Sequence, residues 1–337
     1  MEPFVVVGAL VFVGVGVVSA VMEKRQNRRR ALIWRALAQR RGGTCNELPG
    51  QVTAATPPDS VDVRVAHAVV RLDRTTRTSG SHAIPVTRGR ARFSLGAGPK
   101  FEVTPAGILS GVARNIGLQD LELGDPGFRY AFVVKGAHLD DIRRVWTIPL
   151  QRAFTRRLPA ATMHSDGTHV TLTLAGSGEE TQHLDAILDL VGALASTGAA
   201  EFEALAALPE VTLVPASGPR TKPPARRLRL TTAHGEATAT LQWVKSAPRI
   251  WLTLPTSRDL PPFRIVVRDG TADGLPTGLL SEYALRLLGE LDGVLLLSEA
   301  GKLDVRWLGI PTPDGLMVGA KLLGELAGGT HHVGAFR

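Results

Sequence analysis

Cysteine is nearly absent, with Cys45 standing alone among 337 residues. A lone thiol closes no internal disulfide and cannot build a multi-cysteine zinc or iron–sulfur centre. Aromatic residues make up only 5% of the chain, with two tyrosines and five tryptophans, so few rings are available for stacking nucleobases. Lysine is scarce beside arginine while alanine and glycine abound, a bias that points to a GC-rich bacterial gene. The motifs of nucleotide and hydrolase chemistry are missing too. No Gly-x-Gly-x-x-Gly follows a strand-like run, and no serine sits in a Gly-x-Ser-x-Gly elbow. Gly96-Ala97-Gly98-Pro99-Lys100 has the wrong spacing for a phosphate loop, and Pro99 lacks the backbone donor that cradling needs. No cofactor is expected.

What is present suffices for about two ordinary domains: 44% of residues are hydrophobic and 21% charged. The net charge of +8 is unevenly spread. Lys24, Arg25, Arg28, Arg29, Arg30, Arg35, Arg40 and Arg41 form a basic run without an acid. Setting these eight aside from the 39 basic residues leaves 31, equal to the 31 acidic ones. The remainder carries no excess to drive phosphate binding by counterion release, so no nucleic-acid partner is expected.

The basic run follows Phe4 to Met22, nineteen residues without a charge. As an α-helix they would cover about 28 Å, close to the hydrocarbon thickness of a bilayer. Bases after the apolar run hold the C-terminal side in the cytoplasm. The competing reading is a cleaved signal peptide with Val18 and Ala20 before the cut, but such a leader carries its charge ahead of the apolar run. The sequence thus predicts a transmembrane helix over 4–22 and a basic juxtamembrane helix over 23–41. Arg25, Arg28, Arg29 and Arg30 would meet anionic headgroups of the inner membrane.

Two breaker-rich stretches, 42–60 and 209–225, read as linkers. They bound two α+β domains, 61–208 and 226–328, with a tail over 329–337. The domains resemble each other. The run from Met163 to Gly176 matches the run from Leu296 to Gly309: a strand, a polar turn, and an alternating strand ended by glycine. Each is followed by an amphipathic helix, through Leu184, Ile187, Leu188, Val191 and Leu194 or through Leu316, Ala320, Leu323 and Leu326. Upstream, Pro99–Thr104 resembles Pro248–Thr253, and Phe132–Lys135 resembles Ile265–Arg268. The expected unit is about four strands, a helix, a hairpin and a closing helix. Each unit is an antiparallel sheet with helices on one face, and the second repeats the first.

Candidate chemistry is sparse. If Asp166-Gly167 is a two-residue turn, His164 faces His169 across the hairpin, close enough to share a metal ion. Arg88, Arg90 and Arg92 alternate along a strand and put three guanidiniums on one face, which suits an anion or cross-strand ion pairs. Asp140-Asp141 and Glu179-Glu180 precede helices, where carboxylates meet the helix dipole. These features favour a non-catalytic, cytoplasm-facing binding or scaffold module held at the membrane, with a protein partner possible. Two alternatives stay open: a membrane-tethered enzyme whose residues are scattered, and an envelope-exposed binding protein.

Overall fold

The computed structural model describes residues 3–47, 57–79, 82–106, 123–136, 139–176, 180–214, 226–232, 235–244, 247–269, 271–274, 280–299 and 301–328; for 3–20, 79, 82, 243, 244 and 247 the description covers the backbone. The chain opens with a single helix, α1 (Pro3–Arg41). At 1.5 Å per residue it is about 58 Å long. It ends in a double hydrogen-bonded cap: Gly43 N–H donates to Ala38 O at 2.7 Å and Gly42 N–H to Gln39 O at 3.3 Å. Gly42 takes the left-handed conformation this stop requires, with φ +63°. Among the described residues no helix is long and apolar enough to cross a membrane. The side chains of the expected span over 4–22 lie outside the described ones as far as Ala20.

The chain divides into two units, Met1–Arg92 with Lys100–Ala195, and Phe93–Pro99 with Ser196–Arg337. The first holds strands β1 (Thr44–Asn46), β2 (Ser60–Val65), β3 (Ala68–Ser79), β4 (His82–Arg92), β5 (Lys100–Pro105), β6 (Phe132–Gly136), β7 (Thr162–Asp166) and β8 (His169–Ala175). They form one antiparallel sheet in the order β1-β2-β3-β4-β8-β7-β5-β6. Short helices α2 (Pro126–Ala131), α3 (Leu139–Val145) and α4 (Ile148–Arg157) separate β5 from β7, and α5 (Thr181–Ala195) closes the unit. Alternation sorts the strands' side chains: Val61, Val63, Val70, Leu72 and Ala91 are buried against α5, while Arg71 and Arg90 stay exposed. Much of the scarce aromatic content gathers here, where Phe128 and Phe154 each pack against both Phe132 and Trp146.

The second unit holds α6 (Ala199–Ala206), β9 (Val211–Val214), β10 (Arg226–Thr232), β11 (Gly235–Val244), β12 (Ala247–Pro255), β13 (Phe263–Arg268), β14 (Thr271–Asp273), α7 (Glu282–Gly289), β15 (Val294–Glu299), β16 (Lys302–Trp307) and α8 (Pro313–Gly328). Its sheet, read from β9, runs β9-β10-β11-β12-β16-β15-β13-β14 and is also antiparallel. That is the order of the first sheet, strand for strand. The two α+β units therefore share one topology: a leading helix, six strands, a hairpin and a closing helix.

The hairpin match made from sequence is the match of the folded units. Ser165 pairs with Val170 as Ser298 pairs with Leu303, and both serines are buried. Upstream the correspondence is displaced. Strand order equates β4 with β12 and β5 with β13, so Pro99–Thr104 belongs with Phe263–Arg268 rather than with Pro248–Thr253. Alternating strands of similar length look alike in sequence, and only their neighbours distinguish them. The two stretches read as linkers hold β1 and β9, three- and four-residue strands at sheet edges, too short to show a period. Residues 199–206, read as the end of the first domain, lead the second unit.

Candidate functional site at the root of the N-terminal helix

The leading helices play the same part in both units. Ala31, Trp34 and Leu37 of α1 are buried, and so are Ala199, Phe202 and Leu205 of α6 at the same spacing of three. The helix read as a juxtamembrane segment is thus, in its last three turns, part of the first core. Its basic run divides accordingly. Arg40 donates to Asp185 at 2.6 Å and Arg41 to the same carboxylate at 2.8 Å; Arg41 also reaches Asp189 at 3.1 Å. Arg35 pairs with Glu47 at 2.8 Å. Arg30, expected among headgroups, is 8% exposed and donates to Asn27 at 3.0 Å. Lys24, Arg25, Arg28 and Arg29 remain exposed. Asp185 and Asp189, four apart in the mainly apolar stretch Leu184–Ala195, were the sequence signal that something basic docks there.

Two cavities border α1 where it leaves the fold. One, of about 380 Å³, has Arg30, Trp34, Asp59 and Arg74 in its wall. The other, of about 510 Å³, lies between α1, the middle of β4, the end of β8 and the start of α5. Leu174, Leu184 and Ile187 give it an apolar floor, and Arg29, Glu180 and His183 its polar rim. Glu180 stands 3.0 Å from His183 Nδ1. Among the described residues Arg29 has no acidic partner, which separates it from Arg35, Arg40 and Arg41.

The histidine pair is built differently from its expected form. His164 pairs with Thr171, and His169 with Arg92, so the two imidazoles share a face but are not opposite. The turn is Gly167-Thr168, one residue later than expected. Asp166 stays in the strand and uses Oδ1 to accept the N–H groups of Thr168 and His169, both at 2.7 Å. Gly167 then supplies the positive φ of +90°. Among the described residues no group of three His, Cys, Asp or Glu could hold a metal ion. Burial, then Arg90, pushes the His169 pKa down. In the second unit Glu299 and Lys302 take the places of Asp166 and His169 and pair at 2.7 Å.

The arginine row on β4 is partly closed by ion pairs. Arg88 binds Asp73 through two hydrogen bonds of 2.9 and 2.8 Å, and Arg71 binds Asp62 likewise at 2.8 and 2.9 Å. On the corresponding face of the second sheet, Asp304 is 3% exposed. It accepts from Thr253 at 2.6 Å and Arg306 at 2.7 Å, and Arg306 lies over the Trp251 ring. Asp140 and Asp141 occupy the first turn of α3. Burial raises the Cys45 thiol pKa, which leaves it a poor nucleophile at neutral pH. Glu179 lies outside the described residues. No family model, curated protein or solved structure matches the chain.

Proposed function

We propose that the protein is a bacterial inner-membrane module, anchored through residues 4–22, which holds two repeated α+β units on the cytoplasmic side for binding rather than catalysis. The observation that carries this reading is the continuity of α1. One helix runs without a break from Pro3 to Arg41, and its uncharged stretch leads, past Glu23, into bases and then into the core of the first unit. Exposed Lys24, Arg25, Arg28 and Arg29 sit within about two turns of Met22, where an anionic leaflet attracts each base by roughly 1 kcal/mol. The docked end of α1 favours tethering over a free-swinging anchor, since Trp34 and Leu37 fix the helix to the fold.

Fractionation with paired topology reporters tests the proposal. The full chain should sediment with membranes, resist alkaline carbonate and need detergent for release. A C-terminal fluorescent reporter should mature, and a C-terminal phosphatase that works only outside the cytoplasm should stay silent. An active phosphatase would favour the envelope-exposed alternative, and recovery in the soluble fraction would end the membrane reading.

A further inference from the structure

We propose that the 510 Å³ cavity beside Arg29 holds a membrane phospholipid, with the phosphate on the Arg29 guanidinium and the upper part of one chain on the apolar floor. The proposal rests on the membrane reading above and adds a ligand to it. Pockets that bury small amphiphilic ligands fall at roughly 300–1,000 Å³, with apolar walls and few polar groups. This one has Leu174, Leu184 and Ile187 below and Arg29, Glu180 and His183 at its rim.

Charge and position select the ligand class. Glu180, on the same rim, is turned to His183 at 3.0 Å, while Arg29 forms no ion pair among the described residues. A planar guanidinium fork suits two oxygens of a phosphate. Arg29 lies seven residues past Met22, about 10 Å along the helix, and helical side chains lean toward the N-terminus. Its reach is thus back toward the apolar run, into the headgroup layer that such a span would set.

Comparison of the two units shows that the shared scaffold does not require this space. The places of Leu174 and Ile187 are taken in the second unit by Trp307 and Gly319. A Cβ on Gly319 would stand 2.6 Å from the Trp307 ring, so the indole takes the space that the Ile187 side chain holds in the first unit. Arg29 has its counterpart near Thr197, before the short α6 begins. The cavity and its cation belong to the unit that carries the long helix.

The test uses the full chain in non-ionic detergent, titrated with dihexanoyl phosphatidylglycerol, dihexanoyl phosphatidylethanolamine or glycerol 3-phosphate while thermal unfolding is followed. Wild type should be saturably stabilised by at least one phospholipid. Arg29→Gln should weaken that lipid by about tenfold or more, the expected loss of a charge-assisted hydrogen bond. Ala160→Trp, placed at the exposed cavity wall, should weaken it similarly by obstruction. Glycerol 3-phosphate should do nothing. Equal phospholipid affinity in wild type and Arg29→Gln would overturn the site, and tight binding of glycerol 3-phosphate would overturn the lipid assignment. Should Ala160→Trp fail to fold, Arg29→Gln, an exposed change, still decides. Sedimentation of each protein with membranes is measured in parallel. Wild type in the soluble fraction defeats the membrane reading, whereas membrane-bound protein with an indifferent titration defeats only the lipid site.

Discussion

Gly89 of β4 lies directly beneath Ile187 of α5, so closely that a Cβ at position 89 would overlap Ile187 Cγ2. In the second unit the sizes change sides. Leu252 takes the place of Gly89, by its register opposite Val305 where Gly89 faces Leu172, and Gly319 takes the place of Ile187. A Cβ on Gly319 would come within 3.7 Å of Leu252. Both units keep the same contact between closing helix and central strand by reciprocal use of a large and a small residue.

Gly89→Ala should therefore destabilise the first unit by about 1–3 kcal/mol, the usual cost of overpacking. Ile187→Ala alone should cost about 2–5 kcal/mol by the cavity it leaves, and the double variant should lose less than the sum of the two, by a coupling of about 0.5–3 kcal/mol. Equilibrium denaturant unfolding of the four proteins of this double-mutant cycle, in detergent, is the check. Strict additivity would contradict the contact.

Trp34 and Phe202 hold equivalent positions on the two leading helices, at 3% and 1% exposure. Replacing either by alanine should cost about 3–5 kcal/mol, as for other buried aromatics. Hydrogen exchange should show each loss in its own unit: Trp34→Ala loosens β1 and β2, and Phe202→Ala loosens β9 and β10. A Trp34→Ala protein with unchanged protection would mean that α1 is not part of the first core.

Asp185 receives both Arg40 and Arg41. Asp185→Asn keeps the shape and removes the charge, and it should lower stability by about 1 kcal/mol, since the arginines remain partly in water. The difference should shrink in 1 M salt, where the screening length is about 3 Å. Melting temperatures of the two proteins at low and high salt measure it.

His169 is held below the ordinary histidine pKa, first by burial and then by Arg90, with Asp166 pulling the other way. The folded chain therefore resists a proton that the unfolded chain accepts. The sign follows directly: this contribution to stability is complete above the ordinary value of about 6.5 and is lost as pH falls through it. His169→Gln should flatten the decline in melting temperature between about pH 7 and pH 5. An unchanged slope would show that other groups govern that range.

Legibility from sequence followed the strength of local pattern. The hairpins were readable because their turn residues, alternation and terminal glycines recur together, and the closing helices because their stripes are long. The edge strands Thr44–Asn46 and Val211–Val214 were hidden, having no room for a period. The docking of α1 was hidden by its own arginines, whose charge suggested headgroups while Asp185 and Asp189 lay over 140 positions away. At the histidine hairpin, Asp-Gly marked a turn but not its register. That was set by the Asp166 carboxylate, which stays in the strand to gather two N–H groups. The cavity beside Arg29 had no sequence signal, since its wall comes from five separate parts of the chain.

The unbroken backbone of α1 makes residues 23–29 a setting of angle as well as of distance. Each residue inserted there would raise the first unit by about 1.5 Å and swing it by about 100° around the helix axis. One added alanine would thus point the Arg29 cavity away from its original bearing, whereas seven would return it to within about 20° at greater height. Any partner that approaches this unit from a fixed direction would meet it on a dial whose position is counted in residues.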